Sequence, residues 1–336
     1  MQATNPSAPE TPLDLAPELL EHLVTEHTQS DQPRLEQLWA YYRNPVDPSA
    51  SPVGRERRTQ ANGLPPRLTH NKSGTPADPS REIVIENDIA WRIHALVDFM
   101  FGQPLVIQSL AGDPARASQL TAFIRETLRA NGGESFFHDL ALLGSVYGHV
   151  DILVRPHVSG PGLPASHPVQ LELIEAPRAI PVLNPGDYRQ LDAYLIHHTL
   201  LTHQLEGQPF VDRILRRSPG SRRRSLQRTE VWTAESRRVY LETRSVTGKG
   251  RSLVEESANP LGRLPVVHIQ NLAQPFFYSG LSDVEPLIPL QNELNTRLSD
   301  RANRVTFQSF KMYLGKGIDG FTERPVGPGQ MWATDN

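Results

Sequence analysis

Residues 259–315 read NPLGRLPVVHIQN (259–271), LAQPFFY (272–278) and SGLSDVEPLIPLQNELNTRLSDRANRVTFQSFKMYLG (279–315). The turn formers Asn259, Pro260 and Gly262 precede Leu264, Val266, Val267 and Ile269, a short apolar run bounded by turns that predicts a buried strand. Ser282-Asp283-Val284-Glu285 fits a capping box, in which a Ser side chain and a Glu three residues on satisfy each other's free backbone amides, so a helix is expected from about Ser282. Downstream, Leu287, Leu294, Leu298, Ala302 and Val305 recur at helical spacing and predict one apolar, buried stripe. Glu293 with Arg297 and Asp300 with Arg304 are acid-first i,i+4 pairs on the expected solvated side. Pro286 and Pro289 each remove an amide donor in the first turns, which predicts a kink or a delayed start.

Upstream, the apolar period changes from helical to alternating. Residues 1–80 hold 12 of the 30 prolines and are expected to be largely extended, except that Leu19, Leu20, Leu23, Val24, Leu35, Leu38, Trp39 and Tyr42 predict two short helices separated at Pro33. Ile89, Ile93, Leu96, Val97 and Met100 share a helical face that should end at Gly102, before Pro104. Further helices are predicted from Ala115 to Asn131, stopping at Gly132-Gly133, and across Phe136–Tyr147, stopping at Gly148. From His149 the period is two, with Val150, Ile152 and Val154 on the expected buried face. Strands are also predicted at 171–174, 194–201, 228–233 and 238–243, the last two as a hairpin turning at Ala234-Glu235-Ser236, and short strands at 312–314 and 330–333. Helices followed by strands make an α+β fold.

The 336 residues carry a formal net charge of −3 and no cysteine, which excludes disulfides, thiolate metal sites and Cys nucleophiles and argues against a wholly basic nucleic-acid binder. No run approaches the length of a membrane span. A Walker A loop, a G-x-S-x-G elbow and an H-E-x-x-H motif are all missing, so no catalytic residue, cofactor or metal is expected. His149 and Asp151 share a strand face and invite a metal or acid–base reading, but two groups do not make a site. Arg213, Arg216, Arg217, Arg222, Arg223, Arg224 and Arg228 form the densest basic cluster. Arg222, Arg223 and Arg224 are its candidate contact patch for DNA or an acidic partner; without interleaved aromatics, a solvated loop is the simpler reading.

The order and spacing of Asn259, Pro260, Gly262, Pro265, Val266, Val267, Asn271, Gly280, Ser282, Asp283, Glu285, Asn295, Ser299, Asp300 and Asn303 resemble the passage from wing to stem in the portal, or head-to-tail connector, proteins of tailed bacteriophages. Glu86-Asn87-Asp88-Ile89 through Gly102-Gln103-Pro104, and Phe136 through Val154, resemble two further elements of that family.

This resemblance implies an α+β subunit divided into an N-terminal arm with short helices and a Pro-rich loop (1–80), a wing of helices and antiparallel strands (81–280), a stem helix (281–311) and the start of a small clip domain (312–336). The second stem helix, tunnel-loop helix and crown of the family have no counterpart here, so the chain is expected to be the N-terminal part of a subunit or a short member. The polar face Glu293, Arg297, Asp300, Arg301, Arg304 and Lys311 would then meet the channel or a neighbouring subunit. The family's role implies a structural protein, not an enzyme: a dodecameric homo-oligomeric ring at one capsid vertex, assembled in the host cytoplasm, through which viral DNA is packaged and ejected. Its partners would be terminase, capsid and scaffolding proteins, head-completion (adaptor) proteins and double-stranded DNA passing without sequence specificity; no membrane is implied. The alternative is a cytoplasmic nucleic-acid-binding accessory protein or a defective prophage remnant. Salt-dependent DNA binding by the arginine cluster would distinguish them.

Overall fold

Strand β4 (Leu191–Leu200) buries both of its faces, with Ala193 and Leu195 on one side and Tyr194 and Ile196 on the other, none more than 1% exposed. It lies in a five-stranded antiparallel sheet ordered β3-β4-β5-β6-β7, whose other strands are β3 (Ala179–Leu183), β5 (Leu226–Trp232), β6 (Ser236–Ser245) and β7 (Gly248–Ala258). Ala193 and Leu195 join Ile180 and Val231 against Leu20 and Val24 of helix α1 (Pro17–Glu26). Tyr194, Ile196 and Trp232 join Leu153 and Ile174, which belong to a three-stranded antiparallel sheet β2-β1-β8. Its strands are β1 (His149–Pro156), β2 (Val169–Glu175) and β8 (Val266–Gln270). The period of two in β4 thus builds two cores, each fully buried aliphatic side chain contributing about 1.5–3 kcal/mol.

The structure is a computed structural model and describes residues 16–43, 84–156, 169–187, 189–200, 226–245, 248–309, 313–316 and 331–334. Its contacts divide into two units, Met1–Glu36 with Ile93–Asp283, and Gln37–Arg92 with Val284–Asn336. The first holds both large sheets. The second holds the helix α6 (Ile288–Ser309), entered through a single 3-10 turn at Glu285–Leu287, and the parallel pair β9 (Tyr313–Lys316) and β10 (Met331–Thr334). Helices and antiparallel sheets together make the α+β class expected from the sequence.

The helices α2 (Gln32–Arg43), α3 (Asp88–Phe101), α4 (Pro114–Ala130) and α5 (Glu134–Tyr147) follow their local signals. Asp113 caps α4 by accepting from the Ala115 and Arg116 amides, with Pro114 at the first helical position. Past the end of α4, Asn131 bonds the backbone of β2 at both Val169 and Leu171, so one side chain joins helix to sheet. Gly148 ends α5 at φ 90°, a left-handed conformation suited to glycine.

Four expectations need correction. The break assigned to Pro33 occurs earlier, as a π turn at His27–Asp31 in which the Gln32 amide reaches the His27 carbonyl; the wider turn accommodates a proline ring that would crowd a regular one. On β1 Val150 is buried as expected, but Asp151 and Leu153 of the opposite face are equally buried, all three at 0% exposure, because the five-stranded sheet covers the Leu153 side; Ile152 and Val154 are only half-buried. Val267 of β8 is half-exposed. Leu96 and Met100 of α3 are exposed while Ile89, Ile93 and Val97 are buried, so its covered stripe is narrower than the apolar pattern. Strands β3 and β7 carried no clear signal: both are sheet edges, where Pro181 and the charged Arg251, Glu255 and Glu256 are tolerated.

Leu195→Ala should lower stability in urea denaturation by about 2–5 kcal/mol through the cavity it leaves between α1 and the sheet. Leu110→Ala, at a residue 97% exposed, should stay within about 0.5 kcal/mol of the parent.

Candidate functional site

The motif residues from Asn271 to Asp283 converge on the turn that joins α5 to β1, while Asn259 to Pro265 build the turn between β7 and β8. Asn259 is buried; its side-chain amide donates to the Thr233 and Arg263 carbonyls and its Oδ1 accepts from the Leu261 amide, which fixes the β7–β8 turn. Pro260 follows in that turn, Gly262 takes φ 61°, and the Pro265 carbonyl accepts from Val154 of β1. At the far end of β8, the Asn271 amide donates to Gly148 O, while its side chain reaches Leu281 O and Asp283 Oδ2. Gly280 lies against Gly148: a Cβ on Gly280 would stand 2.5 Å from the Gly148 oxygen, and one on Gly148 2.4 Å from the Gly280 oxygen.

Ser282 bonds back to the preceding helix. Its buried hydroxyl donates to the Val146 carbonyl at 2.5 Å, and the Asp283 amide donates to Ser145 O at 2.9 Å, so both residues satisfy open carbonyls at the C-terminal end of α5. The turn Glu285–Leu287 has Val284 at its cap position and no side-chain cap, and Glu285 opens that turn half-buried. Pro286 and Pro289 accompany a delayed start at Ile288 rather than an α-helix from Ser282.

Beside this junction, Asp151 is a buried hub. It accepts from the Tyr194 hydroxyl at 2.6 Å and the Tyr278 hydroxyl at 2.9 Å, and its Oδ1 lies 2.7 Å from His268 Nδ1. His268 Nε2 lies 2.7 Å from the Tyr278 carbonyl, and the two rings stack at 3.7 Å, which fastens the 271–280 loop to β1 and β8. Burial and the neighbouring Asp151 carboxylate raise the Tyr194 and Tyr278 hydroxyls above their ordinary pKa. His149 packs against both His268 and Tyr278, its Nδ1 is buried without a hydrogen-bond partner, and burial lowers it to about 4. Among the described residues no group of three or more His, Cys, Asp or Glu side chains could hold a metal.

A second buried carboxylate, Glu230, bonds Arg155 (2.5 Å), Arg237 (2.7 Å), Arg228 (3.1 Å) and Trp232 Nε1 (2.8 Å). Burial alone would raise its pKa, but the Arg155 and Arg237 bonds and charges outweigh that and hold it at about 2. Arg228 is thereby the one described member of the arginine cluster, and it is paired; Arg222, Arg223, Arg224 and the other cluster members lie outside the described residues.

On α6 the expected stripe is inverted. The buried positions are polar: Gln291, Asn295, Thr296 and Ser299, none above 5% exposed, while Val305 is exposed and Leu294 and Leu298 are half-buried. This face receives the extended segment 84–87: the Val84 amide donates to Ser299 Oγ, the Glu86 amide to Asn295 Oδ1, and Gln291 Nε2 to the Glu86 carbonyl. Tyr41 donates to Asn292 Oδ1, and Asn87 both reaches the Tyr42 carbonyl and caps α3 at Ala90. The uncharged run Gln291, Asn295, Ser299, Asn303, every fourth residue, was the sequence signal for this seam. Opposite it, Glu293, Arg297, Arg301 and Arg304 are exposed and Asp300 is half-buried; Glu293 and Arg297 pair at 2.6 Å. Lys311 lies outside the described residues.

Residues 21–327 match a family model described as phage portal protein, SPP1 Gp6-like. No curated protein matches the chain significantly.

Gly280→Ala should cost about 2 kcal/mol or more in a thermal melt because backbone atoms on both sides would have to part. Gly112→Ala, with nothing within 4 Å of the added Cβ, is the control and should be neutral or slightly stabilising.

Acid stability follows from the buried groups. His149 and His197 are both lowered by burial to about 4 from 6.5, so between those values the unfolded chain binds protons that the folded chain refuses. Stability therefore falls as pH drops through that window, and Glu230, at about 2 against 4.5, continues the loss below it. Urea midpoints measured across pH should show this decline. His149→Phe, which also removes the unpaired Nδ1, should flatten the part between about pH 6.5 and 4.

Proposed function

Because this chain belongs to the SPP1 Gp6-like family of phage portal proteins, we propose that it builds the ring at one vertex of a tailed-phage capsid through which DNA enters and leaves. The single observation carrying this reading is the family match across residues 21–327. Identical subunits in head-to-tail contact close a ring when the rotation between them is an integral fraction of a turn. The role is geometric: the ring is a conduit and a docking surface, and the work of moving DNA is done by a separate motor.

In this reading residues 81–280 are the wing, 281–311 the stem helix and 312–336 the beginning of the clip, which meets terminase during packaging and head-completion proteins afterwards. Capsid and scaffolding proteins surround the ring, at the virion vertex. The exposed face of α6 suits a passage for duplex DNA. Its Glu293, Arg297, Asp300, Arg301 and Arg304 mix both signs, and a wall that neutralised phosphates continuously would hold the duplex instead of letting it slide. A dozen subunits is the number this reading adopts from the resemblance.

Native mass spectrometry of the purified protein tests this directly. A closed assembly of one stoichiometry, about a dozen subunits, is expected for cyclic association. A strict monomer at high concentration, binding DNA with steep salt dependence, would overturn the portal reading in favour of an accessory nucleic-acid-binding role.

A further inference from the structure

Among the described residues, two stretches are uncharged and carry exposed apolar side chains. Between Asp98 and Asp113 no Asp, Glu, Lys or Arg occurs, nor between Arg263 and Asp283. In the first, Phe99 is 89%, Val106 76% and Leu110 97% exposed, and Met100 is 60% exposed. The Ser109 amide donates to Thr121 Oγ1, which ties the backbone of the segment after α3 to α4. In the second, the loop between the paired residues Leu272 and Leu281 carries Phe276 and Phe277, 76% and 66% exposed, at a turn. Phe276 is the only non-glycine described residue with positive φ, at 68°, a conformation that costs a bulky side chain free energy. The Asp151 hub and the Gln270 side chain, which donates to the Phe277 and Tyr278 carbonyls, hold the loop in this form.

Exposed apolar side chains grouped on one segment point to contact with another protein more than scattered single ones do. One such surface would suit a two-fold contact, but a head-to-tail contact requires two different surfaces that fit each other. The described residues offer two, on separate elements, both free of charge, one a helix end with its following segment and the other an exposed aromatic turn. We infer that the Phe276-Phe277 turn of one subunit packs onto the Phe99, Met100, Val106 and Leu110 surface of the next copy of the same chain. The inference rests on the portal reading for the closed ring and adds which faces close it. The strained backbone at Phe276 then has a use, since it lies in the turn that leaves two adjacent aromatic side chains exposed to fill an apolar surface.

The native chain has no cysteine, so a Phe99→Cys, Phe277→Cys double variant reports proximity without background. Both sites are exposed, so the fold should persist, as circular dichroism would verify; Leu110→Cys with Phe277→Cys is a second pair. Oxidation, or a short bismaleimide, should convert the double variant into a ladder of covalent multimers ending at the ring number, whereas each single variant stays monomeric on a denaturing gel. Intact rings by native mass spectrometry with no ladder from either pair would overturn this contact while leaving the portal reading in place. A covalent dimer from Phe277→Cys alone would also overturn it, because it would mean a two-fold contact. Absence of rings in the unmodified protein would instead remove the portal reading on which the inference rests.

Discussion

The close approach of two backbones at Gly148 and Gly280 is the constraint on which the larger unit depends. Neither position has room for a side chain, and the contact brings the C-terminal end of α5, the start of β1 and the loop after β8 to one point. Hydrogen bonds then complete the junction: Asn271 to Gly148, Ser282 to Val146 and Asp283 to Ser145. Each satisfies a backbone group that would otherwise be buried without a partner, the kind of deficit that costs about 1–3 kcal/mol apiece. The register of β8 on β1, and with it the placement of His268 over Asp151, follows from where this junction holds the chain. Residues that read as a start signal for a helix are thus better understood as the closing contacts of the element before them.

Polar side chains do much of the positioning elsewhere too. Asp151 gathers two tyrosine hydroxyls and a histidine, Glu230 gathers three arginines and an indole, and on α6 a row of uncharged polar groups binds the 84–87 backbone. Buried charges and amides of this kind contribute little net stability compared with aliphatic packing, but they tolerate few alternative arrangements. Such cores fix direction more than they add stability. On the proposed portal reading, a subunit has to present the same faces to its neighbours around a closed ring, and fixed direction is the property that matters.

Local signals were legible wherever chemistry and geometry are local. The helix read from Ala115 to Asn131 is α4, Gly148 ends α5, and the alternation from His149 announces β1. The family resemblance was legible in the order of the Asn, Pro, Gly, Ser and Asp residues from 259 to 303. What these residues do was not, because each acts on a partner distant in sequence: Ser282 on Val146, Asn259 on Thr233, Ser299 on Val84. The leucines of α6 misled for a related reason. Apolar spacing indicates a covered face only when the neighbouring element is apolar, and here the neighbour is an extended backbone that needs donors and acceptors. Glu230, Arg155 and Arg237 come from three different strands, so no spacing rule could have joined them.

Hydrogen–deuterium exchange on the intact protein, resolved to single amides, tests the central claim most directly. If the glycine contact and its hydrogen bonds organise the larger unit, the amides of Asn271, Leu281 and Asp283, though they belong to a loop, should exchange as slowly as those of β1 and β4 and open only with the whole unit. Exchange of these three amides at the rate of an exposed turn, with β1 and β4 still protected, would show that the sheets hold without the junction and would contradict the account.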